Sequence, residues 1–492
     1  MLNRVQLITY IDRLAGGGIV ELSALLQGPL RGLFGAVHLL PFFTPIDGAD
    51  AGFDPIDHTS VDPRLGGWQD IAALAAHTPV VADLIVNHVS RFSPQCQDYF
   101  RHGSASQYAG LFLTRDRVFP AGASPADLQA IYRPRPGLPF TAATLATGET
   151  VDLWTTFTPE QIDIDVTHPL GQAYLDRILQ TFAASGVNLI RLDAVGYAIK
   201  KAGTRCFMLP ETFDFIAALS GRVHALGMQV LVEIHSHYRK QVEIARQVDW
   251  VYDFALPPLV LHAFAFGTAQ PLRHWLQIRP RNALTVLDTH DGIGVIDIGA
   301  DHDEPGLVPP AELDALVETI HRNSGGQSRA ATGAAASNLD LYQVNCTYYD
   351  ALARNDRRYL IARALQCFVP GIPQVYYVGL LAGLNDMALL QKTGVGRDIN
   401  RHYYTAAEVD AALQRPMVSR LCALIRLRNT HAAFQGEFSM PATDAASGQA
   451  LVLRWENGNE FAQLAIDFRS DDCQLQYSAA GKVQAVDIEA LA

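Results

Sequence analysis

The sequence predicts an α/β protein whose main body is a (β/α)8 TIM barrel, with two inserted segments and a small all-β domain at the C-terminus. Short runs of β-forming residues recur along the chain, and helical stretches lie between them. Strand, helix and strand at this spacing form βαβ units, and eight such units close into a barrel. From about residue 433 the pattern changes to short alternating strands, which predicts a separate antiparallel domain.

Eight runs supply the predicted barrel strands. Several are almost continuously apolar, such as Val80 to Val86, which is typical of parallel strands that are covered on both faces. The intervals between the runs leave room for outer helices. In chain order the runs are Val5 to Tyr10, Ala36 to Leu40, Val80 to Val86, Val187 to Leu192, Gln229 to Glu233, Val251 to Ala255, Leu284 to Leu287 and Gln374 to Tyr377.

Two of these intervals carry clear helical patterns. The stretch from Pro169 to Ser185 places Tyr174, Ile178 and Phe182 on one stripe at steps of four. The stretch from Pro210 to Leu226 begins with proline and is followed by glycine, which are start and stop signals for a helix. Both are predicted to be helices of the outer ring.

Two stretches interrupt the barrel pattern. Between His88 and about Val166 the chain is aromatic, rich in proline and irregular, which predicts an inserted subdomain after the third strand. A second insertion follows Gly292 and contains a predicted helix from Pro310 to Arg322. The predicted division is barrel segments at 1–87, 167–292 and 351–432, insertions at 88–166 and 293–350, and a β domain at 433–492, where Asn457-Gly458 indicates a hairpin.

The composition excludes several classes of protein. The 492 residues are 49% hydrophobic and 18% charged, with a net charge of -12, so we expect a globular chain without a basic surface for nucleic acid. No stretch reaches the roughly 18 apolar residues of a membrane span, and the N-terminus lacks the apolar core of a signal peptide. Six scattered cysteines indicate reduced thiols. We therefore expect a cytoplasmic protein that acts on small molecules, with neither nucleic acid nor membrane as a partner.

Three carboxylates come at or just after the ends of predicted strands four, five and seven: Asp193, Glu233 and Asp291. All three should therefore face the C-terminal mouth of the barrel, where barrel enzymes do chemistry. Transfer of an α-glucosyl unit with net retention needs one carboxylate as nucleophile and a second carboxyl as acid and then base. The third carboxylate can hold the distorted sugar. The ordered set predicts retaining α-glucosyl chemistry.

Arg191 supports this interpretation. Alternation along strand four puts Arg191 and Asp193 on the same side, and the guanidinium should favour the ionised form of Asp193 that a nucleophile requires. For any one of the three carboxylates alone, an ordinary salt bridge at a strand end is the alternative. The whole constellation favours a catalytic site.

Four short motifs surround these residues: Asp83-Leu-Ile-Val-Asn87-His88, Arg191-Leu-Asp193-Ala-Val195, Val232-Glu233-Ile-His235 and Thr289-His290-Asp291. They resemble the motifs of the α-amylase superfamily of retaining α-glucan enzymes. The resemblance implies that Asp193 is the nucleophile, Glu233 the acid/base and Asp291 the transition-state carboxylate, with His88, Arg191 and His290 lining the glucose subsite. A core histidine bonded to backbone is the alternative for His88.

The same resemblance bears on metals and cofactors. Asn87 matches a metal ligand of the calcium-binding amylases, but the insertion offers no carboxylate cluster to complete such a site. We therefore expect no metal ion, and the chemistry requires no organic cofactor.

Longer stretches resemble the sucrose phosphorylases, a family within this superfamily, over nearly the whole chain. The resemblance implies that Asp50 and Arg397 form an ion pair that closes the donor pocket behind a single glucosyl unit. A surface salt bridge is the alternative for that pair. The matching stretches are Val5 to Tyr10, Leu40 to Pro45, Asp50 to Asp57, Tyr132 to Phe140, Val251 to Pro258, Ala335 to Asn345 and Gly396 to Tyr404.

An acceptor phosphate needs a cation, because it must approach two carboxylates. Arg135, which lies between Pro134 and Pro136, and Tyr342 are the implied phosphate contacts, and a merely solvated arginine is the alternative. The aromatic pocket residues have core filling as their alternative. The remaining residues that the resemblance implies are Asp340 and Gln343 at the fructose, Phe53 beneath the glucose ring, and Phe157, Tyr197 and His235 around the pocket.

The expected reaction is the reversible, retaining phosphorolysis of sucrose to α-glucose 1-phosphate and fructose through a covalent β-glucosyl-enzyme, with hydrolysis and transglucosylation as side activities. The resemblance also leads us to expect a homodimer. The alternatives are a phosphorylase for sucrose 6'-phosphate, glucosylglycerol or glucosylglycerate, an α-glucosidase or transglucosidase, and a non-catalytic sugar-binding scaffold.

Overall fold

The barrel is closed by eight strands, and every neighbouring pair is parallel. The structure, a computed structural model, describes residues 2–14, 16–48, 50–134, 137–301, 304–332, 343–442 and 448–491. Both the predicted fold class and the eight predicted strands are confirmed. The barrel strands are β1 (Gln6–Thr9), β2 (Ala36–Leu39), β3 (Val80–Ile85), β4 (Val187–Asp193), β5 (Gln229–Val232), β6 (Trp250–Asp253), β7 (Ala283–Thr285) and β8 (Ile372–Tyr376).

The interior of the barrel is built in layers, because side chains two residues apart on a strand point the same way. Val81, Leu189 and Leu231, on β3, β4 and β5, belong to one buried apolar cluster inside the barrel. Two residues closer to the C-terminal mouth on the same strands, the inward-facing side chains are charged instead of apolar. The residues at those positions are Asp83, Arg191 and Glu233.

Helices follow the barrel strands as predicted. The helix Pro169–Ala184 buries the predicted stripe of Tyr174, Ile178 and Phe182, and Pro210–Ala225 also begins with proline, whose missing N–H would have no helical partner at that position. The α-helices among the described residues are Ile19–Gln27, Trp68–Ala75, Pro94–His102, Arg115–Val118, Pro125–Ala130, Pro169–Ala184, Pro210–Ala225, Tyr238–Ile244, Leu256–Phe266, Gln270–Ile278, Pro310–Asn323, Gln327–Thr332, Tyr348–Ala351, Asp356–Phe368, Tyr377–Leu380, Met387–Thr393, Ala406–Leu413 and Pro416–Thr430.

Within the described ranges, four small two-stranded antiparallel sheets lie outside the barrel. Two of them fall within 88–166 and one within 293–350, the stretches that the sequence marks as insertions. The exact boundaries of those insertions stay predictions. The paired strands are Phe43–Thr44 with Asp57–Val61, His88–Ser90 with Gln161–Asp163, Phe140–Thr144 with Thr150–Trp154, and Ile293–Gly294 with Gln343–Val344.

The C-terminal domain is a five-stranded antiparallel sheet. Gly458 and Asn459 form a two-residue turn between its second and third strands, as the Asn-Gly signal predicts. One face packs on the barrel's outer helices: Trp455 Nε1 donates to the carbonyl of Phe368 at 2.6 Å. In chain order, which is also sheet order, the strands are Glu437–Ser439, Ala450–Asn457, Glu460–Asp467, Asp472–Ala479 and Lys482–Asp487.

The six cysteines are all buried, and none forms a disulfide. This agrees with the prediction of reduced thiols. Across the described ranges, no helix combines the length and the hydrophobicity that crossing a lipid bilayer requires.

A buried ammonium group joins the first inserted segment to the barrel. Lys200 Nζ lies 2.7 Å from Asp163 Oδ2 and donates to Asn87 Oδ1 at 2.8 Å and to the carbonyl of Tyr197. The side chains of Lys200 and Asp163 are at most 1% exposed. Asp163 also accepts bonds from the N–H and the hydroxyl of Thr156. The ammonium therefore neutralises a carboxylate that water cannot reach.

Replacing this lysine should destabilise the protein strongly. We expect Lys200→Met to lower the free energy of unfolding by about 3 kcal/mol, because it leaves the buried Asp163 carboxylate without a cation. The measurement is the midpoint of urea unfolding, followed by tryptophan fluorescence. Lys201→Met is the matched control, since Lys201 is 59% exposed and pairs with the exposed Glu211. Equal midpoints for the two variants would contradict the expectation.

Candidate active site

The three predicted carboxylates meet at the C-terminal mouth of the barrel. Asp193 is the last residue of β4, Glu233 follows β5 directly, and Asp291 lies in the loop after β7. Carboxylate oxygens of Glu233 and Asp291 and a ring nitrogen of His235 all lie within 4.8 Å of one another. The side chains of the three carboxylates are between 8% and 13% exposed, so each is accessible to a ligand yet mostly shielded from water.

Arg191 is the centre of the site. Its Nη1 lies 2.5 Å from Asp83 Oδ1 and 2.7 Å from Asp193 Oδ1, and its Nη2 lies 3.9 Å from Glu233 Oε1. The strand register explains the first contact, because Arg191 of β4 stands directly beside Asp83 of β3. A guanidinium that is only 2% exposed thus faces three carboxylates.

Asp83 continues this ion pair into a hydrogen-bond network that crosses the barrel. His38 Nε2 lies 3.0 Å from Asp83 Oδ2, and the Tyr252 hydroxyl lies 3.3 Å from His38 Nδ1 and donates to Gln374 Oε1 at 3.1 Å. Gln374 in turn donates to Gln6 on β1. Burial would raise the pKa of Asp83, but Arg191 and His38 outweigh it and lower that pKa to about 2. Asp83 therefore stays ionised and holds Arg191 in place.

The protonation of Asp193 differs from the simple expectation. Arg191 does favour its ionised form, but burial first, and then the charges of Glu233 and Asp83, raise the pKa of Asp193 above its ordinary value. Two carboxyls that repel each other share a proton more readily than two separate ones. Since Arg191 is 2.7 Å from Asp193 and 3.9 Å from Glu233, the negative charge is better stabilised on Asp193. Arg191 is therefore the group that opposes the rise in the pKa of Asp193.

Asp291 is held in its ionised form. Arg397 Nη1 lies 2.9 Å from Asp291 Oδ1, and His290 Nε2 lies 3.7 Å from Asp291 Oδ2. Burial alone would raise the pKa of Asp291, but Arg397, His290, His235 and Arg401 outweigh it and lower that pKa far below its ordinary value. A permanently negative group at this place can stabilise positive charge on a glucosyl ring.

The structure brings Arg397 to Asp291 rather than to Asp50. Among the ion pairs of the described ranges, none joins Asp50 to Arg397, so closure of the pocket by that pair stays a prediction. Asp50 is half-buried, and its backbone N–H donates to Asp54 Oδ1 at 3.2 Å. Its charge acts on the buried Arg401, whose Nε donates to the carbonyl of His290. Sequence reasoning missed Arg401, because nothing local distinguishes it from a surface arginine.

Phe53, His88 and His290 form one side of the pocket. The ring of Phe53 stacks on His290 with centroids 4.8 Å apart and planes 10° apart. His88 Nε2 lies 2.9 Å from the Phe53 carbonyl and 3.1 Å from Gln161 Nε2. His88 therefore has the backbone partner of a core histidine while it lies against a predicted glucose platform.

An aromatic cluster adjoins His88. Phe157 lies between His88 and Tyr197, with ring centroids 5.4 Å and 5.2 Å away. Tyr197 in turn contacts Phe207 at 4.7 Å, and Phe207 stacks on Tyr132 at 4.4 Å. Tyr132 and Phe207 also line a cavity of about 750 Å³. The sequence predicted Phe157 and Tyr197 for this pocket but missed Phe207, because a lone aromatic in a loop carries no periodic signal.

His235 has a buried partner that the sequence did not predict. Its Nδ1 lies 3.1 Å from Asp297 Oδ2, and its Nε2 lies 3.8 Å from Glu233 Oε1. The ring stacks on Phe254 with centroids 3.8 Å apart. Asp297 lies 62 residues further along the chain, in the second inserted segment, so no local spacing pointed to the pair.

The predicted acceptor residues are placed only in part. Gln343 is buried, pairs with Gly294 across a short ladder and accepts a bond from the N–H of Gly292. Arg135, Asp340 and Tyr342 lie outside the described residues. The polar oxygen of Asn87, which the family resemblance connects with calcium, accepts a bond from Lys200.

Three comparisons place the chain among known proteins. The model of the α-amylase family, for the catalytic domain, matches residues 32–248. The chain is 63% identical to the sucrose phosphorylase of Agrobacterium vitis over 469 residues, which cover 95% of this chain and 96% of that protein. It is 57% identical to the sucrose phosphorylase of Bifidobacterium adolescentis over 470 residues, which cover 95% and 92%.

Among solved structures, the crystal structure of sucrose 6F-phosphate phosphorylase from Thermoanaerobacter thermosaccharolyticum matches with a TM-score of 0.91 and 37% identity. The match covers 99% of this chain and 98% of that chain. The similarity therefore includes the barrel, both inserted segments and the C-terminal sheet.

Removing the anchor of Arg191 should change both rate and pH dependence. We expect Asp83→Asn to slow release of nitrophenol from an aryl α-glucoside by about 10–100-fold, because Arg191 is no longer fixed. Since the charge of Asp83 raises the pKa of Asp193, its loss should move the acid limb of the pH–rate profile to lower pH. Asp176→Asn, on an outer helix where it pairs with Arg222, is the control and should leave both unchanged. An acid limb that stays fixed would argue against this role.

Proposed function

We propose that this chain, which belongs to the α-amylase family and within it to the glucoside phosphorylases, catalyses the reversible phosphorolysis of sucrose with retention of configuration. The products are α-glucose 1-phosphate and fructose. The observation that carries the proposal is the presence of Asp193, Glu233 and Asp291 together at the mouth of the barrel, in a chain that is 63% identical to a sucrose phosphorylase over 469 residues.

In the first step Asp193 attacks the anomeric carbon of sucrose, and the bond to the fructose oxygen breaks. Glu233 gives its proton to that oxygen, so fructose leaves as a neutral alcohol and a β-glucosyl-enzyme remains. The position of Arg191 supports these two roles, since it lies closer to Asp193, which must be ionised, than to Glu233, which must donate a proton. Asp291 stabilises the oxocarbenium-like transition state on the way in and on the way out.

In the second step a phosphate oxygen attacks the anomeric carbon from the face that fructose left. The bond to Asp193 breaks, and α-glucose 1-phosphate forms. Phosphate already carries an ionised oxygen, so this step depends less on Glu233 as a base than attack by water would. We propose Arg135 and Tyr342 as phosphate contacts and Asp340 and Gln343 as fructose contacts.

The proposal extends to the setting of the reaction. The small-molecule partners are sucrose, inorganic phosphate, fructose and glucose 1-phosphate, and the chemistry uses neither a metal ion nor an organic cofactor. We place the enzyme in the cytoplasm, where sugar phosphates are used, and propose a homodimer on the basis of the family resemblance.

A second candidate is a phosphorylase for sucrose 6'-phosphate. Arg205 and Lys240 line the 750 Å³ cavity beside the aromatic cluster, and cations at this place favour a phosphorylated acceptor. The high identity to two sucrose phosphorylases favours unphosphorylated sucrose.

The decisive test of the proposed function is release of α-glucose 1-phosphate from a panel of α-glucosides. The panel comprises sucrose, sucrose 6'-phosphate, glucosylglycerol and glucosylglycerate, each with and without phosphate. We expect sucrose to have the highest kcat/KM and phosphate to convert most of the glucose product into glucose 1-phosphate. A higher value for sucrose 6'-phosphate would establish the second candidate. Free glucose at equal rates with and without phosphate would refute phosphorolysis.

The role of Glu233 predicts a dependence on the leaving group. We expect Glu233→Gln to lower the turnover of sucrose by about 10²–10⁴-fold, but to affect α-glucosyl fluoride much less, because fluoride needs little protonation to leave. Initial rates at saturating phosphate measure both. Asp193→Asn is the comparison variant, since loss of the nucleophile should harm the two donors alike. Equal losses for both donors in Glu233→Gln would refute the assignment of Glu233 as general acid.

A further inference from the structure

The acceptor side of the site has an electrostatic problem. A phosphate dianion must reach the glucosyl-enzyme past Glu233 and Asp291, both of which lie close to the anomeric position. Of the arginines already described, Arg191 lies beneath Asp193 and Arg397 is paired with Asp291. An uncompensated dianion would be repelled at distances of a few ångströms. Arg135 is the proposed phosphate contact, and a second positive group beside Glu233 would lower that barrier further.

His235 stands at the required place. Its Nε2 is 3.8 Å from Glu233 Oε1, and its side chain is 2% exposed, so the ring has little freedom to turn. Asp297 accepts a hydrogen bond from Nδ1 at 3.1 Å, which settles the tautomer, because a carboxylate can only accept. Protonation of the ring therefore adds its proton at Nε2, on the side that faces Glu233.

Asp297 is built to hold this ring. It is completely buried, and besides His235 it receives the N–H of Ser236 at 3.2 Å and the amide of Gln241 at 2.9 Å. Gly294 lies against both Asp297 and His235, and its missing side chain leaves space for them. A Cβ there would overlap the Asp297 carboxylate and lie 3.0 Å from His235 Nδ1, so only glycine fits.

We infer that Asp297 is a positioning residue that acts through His235: it fixes the ring with Nε2 towards Glu233 and stabilises the imidazolium, which draws the acceptor phosphate to the glucosyl-enzyme. The inference rests on the proposed phosphorolysis. No proton or bond is exchanged at Asp297. Its effect is to favour phosphate over water as the acceptor of the same intermediate.

The surroundings of the ring favour its charged form. Burial lowers the pKa of His235, but Asp297, Glu233 and Asp291 outweigh it and raise that pKa above its ordinary value. These are the charged groups that face the ring, and the apolar ring of Phe254 covers its other side. Because the cation exists below the raised pKa, the preference for phosphate should be lost as the pH rises through it. In Asp297→Asn the same loss should come at lower pH.

The experiment compares the full-length wild type with Asp297→Asn on sucrose, measuring glucose 1-phosphate and free glucose together from pH 5 to 9. In Asp297→Asn we expect kcat/KM for phosphate to fall at least about tenfold more than the rate of hydrolysis. A tenfold change corresponds to the loss of about one hydrogen bond to a charged group. The ionisation of phosphate itself is common to both proteins, so the difference between their profiles reports on His235. Glu304→Gln, an exposed carboxylate on the same inserted segment, is the control and should match the wild type.

A double-mutant cycle separates this role from a structural one. In a His235→Gln background we expect Asp297→Asn to have no further effect on the ratio of phosphorolysis to hydrolysis, because the group through which it acts is gone. If Asp297→Asn fails to fold, Asp297→Glu takes its place. Because it keeps a carboxylate near His235, its ratio of phosphorolysis to hydrolysis should lie between those of the wild type and His235→Gln. An unchanged ratio in Asp297→Asn, or a full additional loss in the His235→Gln background, overturns the inference. A wild type that makes no glucose 1-phosphate overturns the proposed function instead.

Discussion

The ion pair between Arg191 and Asp83 is the interaction on which the site depends. Burying a guanidinium costs desolvation free energy. The ion pair with Asp83, which lies beside Arg191 in register on the neighbouring strand, offsets that cost. Once fixed there, Arg191 lies closer to Asp193 than to Glu233, the two carboxyls that we propose as catalytic. The different distances of Asp193 and Glu233 from Arg191 are therefore set by the geometry of two adjacent parallel strands.

The rest of the pocket is organised around that fixed point. The apolar layer of Val81, Leu189 and Leu231 lies directly below the charges and is buried. Loops above place two further ion pairs at the mouth of the barrel: Asp291 with Arg397, and His235 with Asp297. In the proposed mechanism, residues at the strand ends carry out glucosyl transfer, whereas residues of the loops set the charge that the acceptor meets.

The sequence was sufficient for the fold and for bringing the three proposed catalytic carboxylates to one end of the barrel. Buried parallel strands leave a strong apolar signal, and the motifs at their ends are short and local. Contacts between distant loops left no such signal: Lys200 with Asp163, Arg397 with Asp291 and His235 with Asp297 join residues between 37 and 106 positions apart. The raised pKa of Asp193 was missed for a related reason, since burial and the nearby negative charges are properties of the folded site.

The ammonium of Lys200 has a consequence for how the molecule is assembled. A free ion that joined the inserted segment to the barrel would have to be captured from solution, with a loss of translational freedom and a dependence on its supply. A lysine is part of the chain, so every molecule has one such cation, and its tether gives it a high effective concentration at the site. The junction between the first inserted segment and the barrel is therefore completed by folding alone, in whatever ionic medium the chain emerges.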